Sequence, residues 1–188
     1  MTAFAVDLNS DLGESFGAFA VGHDDALFPL ISSANVACGF HGGDPRVIEQ
    51  TVARAAAHGV AVGAHPSFPD LVGFGRRALA ATADEVRTDC LYQIGALAAF
   101  CRAAGVPLRH VKAHGALYNL AVKDATIAAA IAAAVRAFDP APRFFAAPGS
   151  ALEAAGHEAG LTVVREAFAD RAYHIDGSLV ARGQPGAV

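Results

Sequence analysis

The sequence predicts an α/β fold built from repeated βα units, and three observations carry that reading. Six short apolar runs alternate with helical patterns, several helices bring their own start and stop signals, and polar residues gather where each run ends. With 188 residues there is room for one domain and a sizeable core. No Ser- or Gly-rich linker or low-complexity tract divides the chain, so residues 1–188 read as a single domain.

The runs that read as strands are Phe4–Leu8, Ile31–Cys38, Val60–Ala64, Leu108–Lys112, Arg143–Ala147 and Leu161–Arg165. Between the second and third, Asp44 and Pro45 supply an N-cap and a first-turn proline. Ile48, Val52 and Ala55 then share one face until His58-Gly59. Thr82 and Glu85 have the spacing of a capping box, after which Val86, Cys90, Ile94, Leu97 and Cys101 form a stripe ended by Gly105 and Pro107. Asp124 starts a helix with Ile127, Ile131, Val135 and Phe138 on its apolar side and Pro140 beyond its end. Ser150 and Glu153 repeat the capping-box spacing for a shorter one.

Such alternation suits an open doubly wound sheet or a (β/α) barrel. The barrel is preferred because nearly every run ends in a polar cluster, and barrels build their sites at the C-terminal ends of strands. Six strands are few for closure, since such barrels typically run to about 250 residues.

Composition removes several function classes. Hydrophobic residues make up 54%, but 45 of the 188 residues are Ala, so the mean hydropathy of +0.36 overstates the greasiness. The longest nearly apolar stretch, Ile127–Val135, falls short of the roughly 20 residues that span a bilayer. The N-terminus lacks the basic and apolar pattern of a secretory signal, so no membrane association and a cytoplasmic location are expected. Three Cys without a C-x-x-C spacing read as reduced thiols. A net charge of −4 without a basic patch argues against nucleic acid and leaves a small molecule as the expected ligand. Neither a P-loop, a G-x-G-x-x-G after the first strand nor a G-x-S-x-G is present.

The candidate site residues stand at the strand ends. Asp7 and Asn9 share a face after the first run, with Asp11 and Glu14 following. Of these, Asp7 is taken as functional, because a charged carboxylate in a barrel mouth is costly unless something uses it. The second run leads to Cys38-Gly39-Phe40-His41-Gly42-Gly43-Asp44, the third to His65 and then Gly73–Arg77, and the fourth to Lys112-Ala113-His114-Gly115, with Tyr118 beyond. Three consecutive units thus end in a histidine, and His41, His65 and His114 are expected to converge on one mouth. The glycines around His41 are read as letting the backbone approach a ligand, with the helix beginning at Asp44 offering free N–H groups to an anion. Glu166, Asp170 and Arg171 occupy the equivalent position after the sixth run. His23, His58, His110 and His157 are assigned structural roles.

Two chemistries fit this set. Asp7, His41, His65 and His114 have the donor types of a divalent metal site, although no H-x-H or H-x-x-x-H spacing supplies two ligands locally. The same histidines with Lys112 also fit general bases or donors to an oxyanion.

Asp7–Glu14 (DLNSDLGE), Ser33–Pro45 (SANVACGFHGGDP), Gly63–Asp70 with Gly73–Arg77 (GAHPSFPD, GFGRR), Lys112–Asn119 (KAHGALYN) and Arg165–Arg171 (REAFADR) together closely resemble the LamB/YcsF family. That family contains lactam-utilisation proteins and the A subunit of the bacterial ATP-dependent 5-oxoprolinase. The resemblance implies an irregular seven-stranded TIM-like (β/α) barrel of the glycoside hydrolase and polysaccharide deacetylase type. It also implies hydrolytic opening of the 5-oxoproline lactam to L-glutamate, with ATP as co-substrate and subunits B and C as partners. On that reading Asp7, His41, His65, Lys112, His114 and Glu166 do the chemistry, and Asn9, Asp11, Asp44, Arg76, Tyr118, Asp170 and Arg171 bind substrate.

Ala113 stands where the family usually has Pro and Gly42 where Ala is common. Relatives continue through another helix and a last strand ending in His-Gly-Asp, so the barrel is expected to lack its last βα unit. Rival functions are a metal-dependent carbohydrate deacetylase and a non-catalytic regulatory subunit.

Overall fold

The computed structural model describes residues 6–175, 177–180 and 183–188. Six strands, β1 (Asn9–Leu12), β2 (Ser33–Ala37), β3 (Ala61–His65), β4 (Leu108–Val111), β5 (Arg143–Ala146) and β6 (Val163–Arg165), form one parallel sheet in sequence order. Six helices connect them: α1 (Asp24–Leu27), α2 (Pro45–His58), α3 (Ala83–Ala103), α4 (Gly115–Ala121), α5 (Ala125–Phe138) and α6 (Ala151–Glu158). Among the described residues no helix is long and apolar enough to cross a membrane.

The sheet curls into a half-barrel, and side chains from distant strands prove it. The Nζ of Lys112, just past β4, lies 3.0 Å from Asn9 Oδ1 on β1 and 3.0 Å from Glu166 Oε2 just past β6. On a flat sheet β1 and β4 would stand about 14 Å apart, three strand spacings, which no lysine bridges. The expected (β/α) architecture is therefore present with six strands.

Strand alternation explains the interior. Ala34, Val36, Val62, Ala64, Val111, Phe144 and Ala146 are buried in the apolar core. The predicted stripe on α3 (Val86, Cys90, Ile94, Leu97, Cys101) is buried there too, as are Ile48, Val52 and Ala55 of α2 and Ile131 and Val135 of α5. Residues of the other parity point into the barrel and are mostly polar. Asn35 donates to Asn9 Oδ1 and Asp11 Oδ1, and the Nε2 of His110 lies 2.8 Å from Asn35 Oδ1. Hydrogen bonds satisfy this column, which burial would otherwise penalise.

Gly63 makes room for His110, since a Cβ there would stand 2.1 Å from the ring. Gly63→Ala is expected to displace the ring, cost about 3 kcal/mol and lower the melting temperature by roughly 10 °C in a thermal melt.

The helix signals hold with one qualification. Asp44 caps α2, Asp124 caps α5, and Thr82 with Glu85 completes a capping box on α3. Ser150 accepts from the Glu153 N–H, but the Glu153 carboxylate turns to Gly149 N and Arg165 instead of closing the box. The first strand is misplaced by the sequence reading: Phe4 and Ala5 lie outside the described residues, Val6–Leu8 are not strand, and β1 begins at Asn9. Apolar runs mark strands whose faces are greasy, whereas β1 directs Asn9 and Asp11 into a polar interior.

Candidate active site

The strand ends on one rim build the site. His65 ends β3, and Lys112 and His114 follow β4. His41 lies in the loop after β2 and Glu14 in the loop after β1. Those two loops pack tightly: a Cβ on Gly42 would lie 2.7 Å from the Glu14 carbonyl oxygen. Gly42 therefore admits the Glu14 backbone, and Gly43 likewise admits the backbones of Gly13 and Ala37. Glu14, His41, His65 and His114 each present one donor atom, all within 4.8 Å of one another. The His41 and His114 rings stack at 3.7 Å with 3° between their planes.

The ring protons are fixed by neighbours that only accept. His65 Nδ1 lies 2.7 Å from the Lys112 carbonyl oxygen and His114 Nε2 lies 2.9 Å from that of Phe74, so both nitrogens carry hydrogen and donate. The opposite nitrogens, His65 Nε2 and His114 Nδ1, face each other at 3.0 Å, and Asp11 Oδ1 lies 3.2 Å from His65 Nε2. With both rings neutral, two lone pairs and a carboxylate would converge on one point, which is repulsive. The cluster needs a shared positive species, either a proton on His65 Nε2 or a metal ion.

The electrostatics favour the proton on His65. Burial alone would lower its pKa, but the Asp11 charge and hydrogen bond outweigh it and raise the value. Burial likewise pushes Asp11 up, and the His65 and Lys112 cations hold it well below the usual carboxylate range. His114 and His41 are lowered to about 3, by burial and then by the charge on His65. Glu14 is raised, mainly by burial, with its Oε1 3.1 Å from His41 Nε2. The result is one cationic ring among neutral ones beside a carboxylate of elevated basicity.

The donor set also fits a divalent metal. Separations of 3.0 Å (His65–His114), 3.1 Å (His41–Glu14) and 3.7 Å (His114–Glu14) are near the edge of about 3.3 Å that a tetrahedron with zinc–nitrogen bonds requires. Two of the three histidines donate their other N–H to a carbonyl, the usual support for a ligating imidazole. The Nδ1 of His41 is buried without a partner.

A cavity of about 610 Å³ opens beside this cluster, lined among others by Asp11, His65, Arg76, Lys112, Tyr118 and Glu166. The loop carrying Arg76 is held by Asp70, whose carboxylate accepts from the Gly73 and Arg77 backbones and pairs with the Arg77 guanidinium. This fold of the loop puts Phe74 at a φ of 56°, uncommon for a residue with a side chain, and aims its carbonyl at His114. The Arg76 guanidinium stacks over the Phe74 ring at 5.0 Å. Among the described residues no hydrogen bond or ion pair engages it.

Sequence-predicted residues fall into two groups. His41, His65, His114, Lys112, Asn9, Asp11, Glu166, Tyr118 and Arg76 meet at this rim, and Arg171 also lines the cavity, with its guanidinium on the carbonyls of Val180 and Ala187. Asp7, Asp44 and Asp170 do not. Because β1 starts two residues beyond Asp7, that carboxylate sits at the opposite end of the barrel, accepting from the hydroxyls of Ser32 and Ser33, and takes no part in the metal-competent group. The Asp44 carboxylate is consumed by the N–H groups of Gly17, Arg46 and Val47. Asp170 is exposed on a turn outside the cavity. Glu14 is a site residue that sequence reasoning passes over; its signal is an acidic residue one loop turn past a strand end, in the same motif as Asp7.

Comparison with known proteins agrees with the site's motifs. The LamB/YcsF family model matches residues 6–188. The chain is 63% identical over 183 residues to a protein of Symbiobacterium thermophilum named as the A subunit of 5-oxoprolinase, covering 97% of this chain and 70% of that one. It is 60% identical over 181 residues to the protein of the same name from Thermus thermophilus, covering 96% and 72%. The crystal structure of the lactam utilization protein from Thermus thermophilus superposes with a TM-score of 0.94 at 59% identity, covering 98% of this chain and 74% of that one.

Proposed function

This chain belongs to the LamB/YcsF family, and from that premise we propose that it is the lactam-opening subunit of a 5-oxoprolinase, converting 5-oxoproline to L-glutamate. Relatives sharing 54–63% identity over nearly the whole chain bear the name of the A subunit of 5-oxoprolinase. The observation that carries the reading is the cavity itself, where a proton-sharing His/carboxylate cluster stands beside Arg76, whose guanidinium forms no ion pair with a carboxylate among the described residues.

The chemistry follows from the residues. Water adds to the lactam carbonyl carbon, the ring C–N bond breaks, and the nitrogen leaves as an amine after gaining a proton. The Glu14 carboxylate, of raised basicity, is placed to take the proton from water, and cationic His65 to return one to the leaving nitrogen, with neutral His114 as the acceptor that holds the His65 proton in place. Lys112 offers its ammonium to the developing oxyanion. Arg76 binds the ring's carboxylate. If a divalent metal is bound, Glu14, His41, His65 and His114 would hold it, and it would supply Lewis-acid polarisation.

An unstrained amide is a poor electrophile, and phosphorylating its oxygen would turn that oxygen into a leaving group, which makes ATP coupling intelligible. The chain carries no P-loop, so ATP is assigned to the assembly with subunits B and C. The test is 5-oxoproline-dependent glutamate release by this chain mixed with those two partners. Turnover is expected only with all three, and its absence in the complete mixture would refute the reading. Arg76→Gln is expected to raise KM for 5-oxoproline about 30-fold with a smaller effect on kcat, measured by steady-state kinetics. An unchanged KM would remove Arg76 from carboxylate binding.

A further inference from the structure

Among the described residues, two of the three buried side-chain polar atoms that complete no well-aligned hydrogen bond are neighbours on the same cavity wall: the Tyr118 hydroxyl and the Oε1 of Glu166. Both side chains are almost fully buried, Tyr118 at 4% exposure and Glu166 at 5%. Stranding such groups is costly, and native proteins do it mainly where a ligand completes the set. Neither atom is free to wander. Glu166 Oε2 is held 3.0 Å from Lys112 Nζ, which orients Oε1. Lys112 lies over the Phe168 ring at 4.7 Å and the Tyr118 ring meets Phe168 edge-on at 5.8 Å, so one aromatic ring braces both the ammonium and the phenol. Burial, then the Glu166 charge and the close approach of its carboxylate to the hydroxyl, raises the Tyr118 pKa, which keeps the phenol protonated and a donor beside that acceptor.

One wall therefore presents a donor beside an acceptor. A five-membered lactam is locked in the cis configuration, so its N–H and C=O project to the same side as an adjacent donor and acceptor. A trans peptide directs the two to opposite sides. We propose that Tyr118 and Glu166 read this cis-amide edge, Tyr118 donating to the ring carbonyl and Glu166 Oε1 accepting from the ring N–H. The pair rests on the lactam reading and refines it: it selects cyclic over linear amides, and lactams over lactones of the same shape.

The test compares dissociation constants of 5-oxoproline and its lactone counterpart, in which a ring oxygen replaces the N–H, for the purified chain by calorimetry. The unmodified protein is expected to favour the lactam by at least about 100-fold, because the lactone sets oxygen against a carboxylate. In Glu166→Gln the amide oxygen goes to Lys112 and its NH₂ takes the Oε1 position, a donor facing the lactam N–H, so the preference is expected to fall to one or below. Tyr118→Phe removes a contact both ligands share. Each is expected to bind about tenfold more weakly with the ratio preserved, and this arm decides the matter if the Gln variant fails to fold.

A ratio that Glu166→Gln leaves unchanged, or affinities that Tyr118→Phe leaves unchanged, would overturn the pair while 5-oxoproline binding still supports the lactam reading. Failure of the unmodified chain to bind 5-oxoproline would overturn both.

Discussion

Asp11→Asn is expected to lower kcat for glutamate release by about three orders of magnitude while the protein stays folded and KM changes little. Asp11 Oδ1 lies 3.2 Å from His65 Nε2 and is the main group that keeps that ring protonated against burial. Asparagine keeps the shape and the hydrogen bond from Asn35, but without the charge His65 loses its proton and faces His114 Nδ1 with a lone pair. Because the two residues act as a unit, adding His65→Asn to Asp11→Asn is expected to cost little more. Steady-state kinetics on the three-subunit mixture, with circular dichroism to confirm folding, checks this. An unaltered kcat in the single variant would take the pair out of the mechanism.

The second large effect is acid lability. His41, His110 and His114 are each lowered to about 3, first of all by burial, whereas in the unfolded chain they titrate near 6.5. Between those values the unfolded state binds protons that the folded state refuses, so stability falls as pH falls from 6.5 toward 3. Each ring contributes at most about 1.4 kcal/mol per pH unit, so the three together give roughly 4, enough to unfold a domain of ordinary stability near pH 4 to 5. Asp11, held low, loses its contribution only below its unfolded value, as pH drops through the folded one. His65, held high, stabilises below its unfolded pKa and loses that as pH rises through the folded one. Melting temperature against pH is therefore expected to peak near neutrality and drop steeply on the acid side; a flat profile down to pH 4 would contradict it. His110→Asn, distant from the site rim, is expected to lessen the acid slope by about a third.

How much of the molecule is legible in its sequence depends on which side of a strand the signal comes from. Helix caps are local, so Asp44, Thr82, Asp124 and Ser150 announce α2, α3, α5 and α6 correctly. Strand-end histidines in three consecutive units are legible because strands of a parallel barrel all point one way. The carboxylate partner is not: Asp7 looks like the end of an apolar strand, but β1 is polar because the barrel interior is polar, and the shift moves Asp7 to the wrong end and Glu14 to the right one. The Phe74 carbonyl that fixes His114 is a backbone group, and the folded loop that aims it depends on Asp70 and Arg77, a pairing that spacing does not reveal. Nor does the pattern show that Gly42 serves the Glu14 backbone.

Central to the proposed mechanism is a single positive charge shared by His65 Nε2, His114 Nδ1 and the Asp11 carboxylate at the barrel rim. Nitrogen-15 NMR of the histidine rings in metal-free protein at pH 7 measures it. The expected spectrum shows His65 as an imidazolium protonated at both nitrogens, with His114 neutral and protonated only at Nε2. A neutral His65 carrying one proton at Nδ1 down to pH 5 would contradict the shared charge and the proton-transfer roles built on it.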